Sequence, residues 1–298
     1  MRTIRKSSGS MLVLIVFLLG IFVVFALGAF TVNNFLFLRT RAQDRADNLA
    51  LLLASKINTG DRVGQMNELQ ARSRELIFNS RERIADCHGE ELDMLSPIAE
   101  QLLNEAREGH ALLERESNNL VSQICKEVKE SALAHNSALS DLGIFKMGGL
   151  LTEQARIERV ELGSIKDIPS NAKSDTVFEG LSEFDLQQNH SHKTNGLYRA
   201  NIDAKIPPPD GDLSFKISAL APNVRGTCSP AHNVNAHVFT RMDTLIDNEE
   251  GQPCHPEFAP CAVQVHCKMP TTLGIKGDYR ADLTFVSTAA TNGAIKTE

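Results

Sequence analysis

Hydrophobic and polar positions along this chain fall into three successive patterns. From Ser7 to Leu38 there is no Asp, Glu, Lys or Arg, and the centre, Met11 to Thr31, is apolar in neither the helical nor the strand period. A bilayer core of ~30 Å needs ~20 apolar residues at ~1.5 Å rise each. Only a helix can satisfy its own backbone polar groups in lipid. The run therefore predicts one transmembrane helix that leaves the bilayer near Asn33. A cleaved signal peptide is the alternative, with Arg2, Arg5 and Lys6 as its basic region and Ala26-Leu-Gly28 as a small-x-small site. The apolar run exceeds the ~7–15 residues of a signal core and continues past that site, which favours an uncleaved anchor.

The second pattern has a helical period. Arg39 to Lys56 contains no Gly or Pro, and Leu38, Ala42, Ala46, Leu49, Ala50 and Leu53 form an apolar stripe. The membrane helix is expected to continue into this segment and to stop at Asn58-Thr-Gly60. A second helix is predicted from Asp61 to Cys87, with Val63, Met66, Leu69, Leu76, Ile77 and Ile84 on one face. Ser96 as N-cap and Pro97 at the first helical position start a third. It runs to about His135 with Ile98, Leu102, Leu103, Ala106, Leu113, Leu120, Val121, Ile124 and Val128 as its stripe. The stripes read first as the core of a helical hairpin, with a coiled-coil or partner-binding surface as the alternative. In an antiparallel hairpin Cys87 lies near the turn and Cys125 roughly 40 Å from it. That excludes a disulfide between them, which needs Cα atoms within about 7 Å.

Beyond Gly143, Gly148 and Gly149 the period shortens. Strand-like pieces occupy 155–163, 196–207, 213–221, 236–243, 262–270 and 279–289, separated by turn signals such as Pro207-Pro-Pro-Asp-Gly211. The expected fold is α+β. Residues 1–38 form a tail and transmembrane anchor, 39–140 a helical stalk and hairpin, and 150–298 an antiparallel β-rich, sandwich-like domain.

Composition narrows the function. Net charge is −6, with no Trp and 2 Tyr. No basic face and few aromatics are available for phosphate contact or base stacking, which argues against nucleic acid. Of 6 cysteines, Cys228, Cys254, Cys261 and Cys267 cluster late in the chain, and the preferred reading is two disulfides in an oxidising compartment. Metal binding by Cys254, His255, Cys261, His266 and Cys267 is the weaker alternative, because the spacing lacks the paired CxxC of structural zinc sites. Free thiols are the third. His190 and His192 read as a solvated loop. No G-x-S-x-G, Walker, Rossmann or H-E-x-x-H pattern occurs, so no catalytic residues and no cofactor are assigned and the chain is read as a non-enzyme.

Arg5-Lys6, Gly9-Ser10, the apolar run from Met11 and the segment Arg41–Ala54 resemble the amino-terminal region of TadE/TadG-like proteins of Tad-type pilus assembly. Within that segment Gln43, Ala46, Asp47 and Ala50 stand where the family has a Gln, Ala and Asp-rich stretch. Pseudopilin-like members carry an acidic residue five positions after the processed glycine. Here that position after Gly9 is Leu14, so the resemblance implies a TadG-like uncleaved anchor. It further implies a structural role in a pilus or envelope complex at the bacterial inner membrane, with the body periplasmic and with protein partners that include a possible homo-oligomer. An extracytoplasmic ligand-binding or sensing module, or a redox domain using the late cysteines, are the competing functions.

Overall fold

The computed structural model describes residues 8–89, 93–140, 145–147, 150–165, 213, 220, 231–247, 256, 259–273 and 279–291. Helix α1 runs unbroken from Ser8 to Ile57, α2 from Arg62 to Gly89 and α3 from Ser96 to Ser140. At ~1.5 Å per residue α1 is about 75 Å long. Its two halves meet different surroundings. None of its most apolar window, beginning at Met11, is buried, and this is the one helix among the described residues long and apolar enough to cross a membrane. From Ala42 onward its stripe is covered: Ala46, Ala50, Leu53, Ala54 and Ile57 are all fully buried.

What covers them is a single antiparallel sheet. Its strands are β1 (Phe145–Met147), β2 (Leu150–Thr152), β3 (Arg156–Ile165), β4 (Ala231–Asn233), β5 (Phe239–Asp247), β6 (Ala262–Leu273) and β7 (Tyr279–Thr291). The longest path is β1-β2-β6-β3-β5, and β7 joins the other edge of β6 and carries β4. β6 is thus the central strand, hydrogen-bonded to β2 and β3 on one side and β7 on the other. Alternation along it separates two faces. Cys261, Val263, Val265, Cys267 and Met269 join one apolar cluster with the α1 stripe and with Val121, Ile124 and Val128 of α3. Gln264, His266 and Lys268 face the other way.

The α+β expectation holds. The sandwich-like detail does not, among the described residues: one sheet is faced by helices rather than by a second sheet. The second half of α1, the C-terminal part of α3 and the sheet share one core. The predicted strands at 155–163, 236–243, 262–270 and 279–289 correspond to β3, β5, β6 and β7. Those at 196–207 and 213–221 lie, apart from residues 213 and 220, outside the described residues.

A rigid joint links α1 to the hairpin. Gly60 (φ 65°) and Asp61 (φ 57°) take left-handed conformations that turn the chain. The buried Asn58 accepts a hydrogen bond from Val63 N–H through Oδ1 (2.8 Å) and donates from Nδ2 to Asp61 Oδ1 (3.1 Å). Arg62 donates to the last carbonyls of α1, at Ile57 (2.9 Å) and Lys56 (2.7 Å), which caps the negative end of that helix. The same guanidinium meets Glu127 of α3 at 2.8 Å. Beyond the joint α2 and α3 pair antiparallel, with Ser73 Oγ 3.3 Å from His110 Nδ1. The stripes are buried only in part: Val63, Ile77, Ala106, Val121, Ile124 and Val128 are buried as expected, but Leu69, Leu76, Ile98 and Leu102 are 42–66% exposed, and Asn67, Gln70, Ser73, Ser80, His110 and Ser117 are buried alongside the apolar residues.

Candidate functional site

Two arrangements carry the chain's most specific side-chain chemistry, one on each face of the sheet. On the helix face, the residues that resemble the Tad stretch form the seat of α1. Ala46 and Ala50, one turn apart and without side-chain bulk, let the α1 backbone approach β7 closely. Gln43 Nε2 donates both to Asp47 Oδ1 (2.9 Å) and to the Val286 carbonyl of β7 (3.2 Å). Asp47 thereby orients the amide that ties helix to sheet. These four positions act together as a patch that holds α1 against the sheet. Gly9, the remaining residue of that resemblance, lies at the first turn of α1, far from the seat.

The late cysteines share this helix face. Six residues apart along the extended chain, Cys261 immediately before β6 and Cys267 within it point the same way but stand ~20 Å from each other. Both are buried, and neither is joined in a disulfide. Burial pushes each thiol up to about 12. The expected bridges are therefore not formed at these two positions: each thiol fills a packed seam as a small apolar group. Cys228, Cys254 and His255, like His190 and His192, lie outside the described residues. Cys87 and Cys125 are also buried, and neither forms a disulfide.

The opposite face holds a polar network centred on Glu161. A β-bulge between Ile157 and Arg159 inserts Glu158 into β3. Without that extra residue Arg159 and Glu161 would share the face of Ile157; the bulge re-aims both toward the face of His266. The Glu161 side chain is 6% exposed, and its carboxylate lies 3.1 Å from Arg159 Nε, 3.5 Å from Arg241 Nη1 and 3.5 Å from His266 Nε2. Desolvation, and secondly the Arg159 charge, hold the His266 imidazole below its ordinary range against the opposing pull of Glu161. His266 is consequently neutral at pH 7, with Nε2–H donating to Gln264 Oε1 (3.1 Å) and facing Glu161. Gln264 in turn donates to Thr288 Oγ1 at 2.9 Å. The buried carboxylate is balanced by two arginines, and the network ties β3, β5, β6 and β7 together.

This geometry also separates the residues of the metal alternative. His266 points away from Cys261 and Cys267, so those three cannot share one ion, and no metal-holding cluster of His, Cys, Asp and Glu occurs among the described residues. The Glu161 network escaped sequence reasoning because a carboxylate in a strand reads as solvent-facing. The Cys-x-Val-x-Val-x-Cys-x-Met alternation was the legible signal for the thiols, since it places both cysteines on the apolar face. Comparison with protein-family models, with curated proteins and with solved structures finds no match to this chain.

Proposed function

We propose that this chain is a single-pass, membrane-anchored structural component of a cell-envelope assembly, of the kind the TadG-like resemblance implies, with its body outside the cytoplasm. The observation that supports it most directly is the division of α1. An apolar half with no protein covering continues without a break into a half whose small residues are locked to the sheet. Such a helix transmits position rather than chemistry, holding the sheet and hairpin at a fixed offset from the bilayer. The Gln43–Asp47 seat and the Arg62–Glu127 joint stiffen both connections. Three basic side chains precede the span (Arg2, Arg5, Lys6) and three follow it (Arg39, Arg41, Arg45), so their charge gives little bias and the extracytoplasmic placing of the body rests on the TadG-like resemblance. The four described cysteines, being buried thiols, carry no information about compartment.

Alkaline extraction of membranes followed by protease treatment of intact spheroplasts tests the reading. The chain should stay in the membrane pellet and lose its body to external protease. Recovery in the soluble fraction, or digestion only after lysis, would refute it. Purification from the native membrane with identification of bound proteins then tests the assembly role: recovery of no other envelope component would leave an anchor without an assembly.

A further inference from the structure

Below Ala42 the covered stripe of α1 does not stop. Half-buried Leu38, Phe35 and Asn34 continue it to the point where the helix is expected to leave the membrane. Protein therefore lies against α1 down to its exit, with no bare stalk between bilayer and body.

Two tethers give the direction in which the sheet lies. Arg62 holds Glu127 of α3 at the far end of α1 (2.8 Å), and from there α3 runs back beside the buried half of α1 to Ser140. Near its end Asn136 accepts a hydrogen bond from the N–H of Ile157, at the start of β3 (3.0 Å). β1 begins at Phe145, a few residues on. It pairs with β2, and β2 pairs with Thr271 to Leu273 of β6, opposite the first residues of β7. The end of the sheet made by β1, β2 and the Leu273–Tyr279 pair is thus the end nearest the membrane.

The Gln43 amide, bonded to the Val286 carbonyl, sets the height of that end. From Asn33 to Gln43 α1 rises ~15 Å. From Val286 back to Tyr279 β7 descends ~23 Å, or ~18 Å if tilted by ~40° against the helix. The rise and the descent nearly cancel, which brings the strand end level with the membrane surface.

We infer that this end of the sheet rests in the headgroup region of the bilayer that α1 crosses, as a second, peripheral membrane contact. Its composition fits a lipid interface. β1 and β2 read Phe-Lys-Met and Leu-Leu-Thr, with Leu273, Tyr279 and Arg280 beside them. Tyrosine favours the interface, and lysine and arginine bury their stems there while their charges reach the phosphates. Arg280 and Ala281, on opposite faces of β7, are both exposed, so protein covers neither face at this edge. Asp282, the acidic residue next to them, is neutralised by Lys268 at 3.0 Å. A contact this small would not hold the chain on a membrane by itself; the α1 tether keeps it at high effective concentration. It sets one side of the body against the bilayer and directs the hairpin away. The placement rests on the anchor reading, because α1 locates the surface.

The chain has no Trp, so single tryptophans report position directly. The test uses the full chain in nanodiscs whose lipids carry bromine near the top of the acyl chains. Tyr279→Trp should emit to the blue of a water-exposed indole and lose about twofold in intensity relative to unbrominated discs, as a ring ~5–10 Å into the boundary would. Phe30→Trp, in the apolar half of α1, should also be quenched, and Leu112→Trp, exposed on the hairpin, should not. Quenching of Phe30→Trp without Tyr279→Trp would leave the anchor standing and overturn the second contact. If neither is quenched, the chain does not span and both readings fall. Leu112→Trp quenched as strongly as Tyr279→Trp would mean that the body lies along the bilayer, which overturns the placement of the sheet end. Should Tyr279→Trp not fold, Arg280→Trp, at the exposed neighbouring position, gives the same reading.

Discussion

Cys261 and Cys267 show how one strand position converts a reactive residue into an inert one. The thiolate is the nucleophile, and both thiols are pushed up to about 12 by burial. With iodoacetamide at pH 8, neither should be alkylated in the folded chain and both should be in urea; labelling at the same rate in both states would place them elsewhere. His266 gives the matching pH statement. An imidazole in the unfolded chain protonates near pH 6.5. In the fold, burial and Arg159 oppose protonation. Below about pH 6.5 the unfolded state therefore binds the extra proton first, and stability falls as pH drops; above pH 7 the imidazole contributes no pH dependence. Between pH 7.5 and 5.5 the urea midpoint should decline by an amount equivalent to no more than about 1.4 kcal/mol. His266→Gln, which retains an N–H toward Gln264 and Glu161, should flatten that slope.

At the scale of elements, the joint at residues 58–62 fixes how the hairpin leaves the stalk. A Cβ at Gly60, in the left-handed region, costs ~1 kcal/mol or more. Asn58→Ala strands a buried Val63 N–H and should cost ~1–2 kcal/mol. Urea unfolding of the detergent-solubilised chain should show both losses, and an unchanged midpoint for Asn58→Ala would mean that the side chain does not carry the turn. This joint was legible in the sequence as Asn58-Thr-Gly60, and the three helix starts and stops were legible within a few residues, because caps and glycines report local backbone geometry. Four strands were legible from alternation. β1, β2 and β4, at 3 residues each, are too short to display a period and exist only through their partners: β2 on β6, β1 on β2 and β4 on β7. The hairpin seam was misread for a different reason. Periodicity finds the apolar face of a helix, and here only one edge of that face is covered: Val63, Ile77 and Ala106 are buried while Leu69, Leu76 and Leu102 are not.

At the scale of the whole molecule, the half of α1 that packs in the body and the half long and apolar enough to cross a membrane are separate parts of one helix. Every large side chain from Met11 to Phe25 is exposed, so that segment adds nothing to the core; the buried cluster begins at Ala42. A continuous helix would couple the two halves only if the first contacted the sheet or hairpin, and its exposure shows that it does not. Deleting residues 1–30 should then release the chain from the membrane fraction while leaving the body folded. Its α1 would begin at Thr31, retaining the half-buried Phe35 and Leu38, the Gln43–Asp47 seat and the Ala46–Ala50 contact with β7. The expected outcome is a soluble protein whose urea midpoint matches that of the full chain within error. Retention in the membrane pellet would locate a second attachment in the body. Loss of folding would show that the apolar half of α1 supports the sheet, contrary to its exposure.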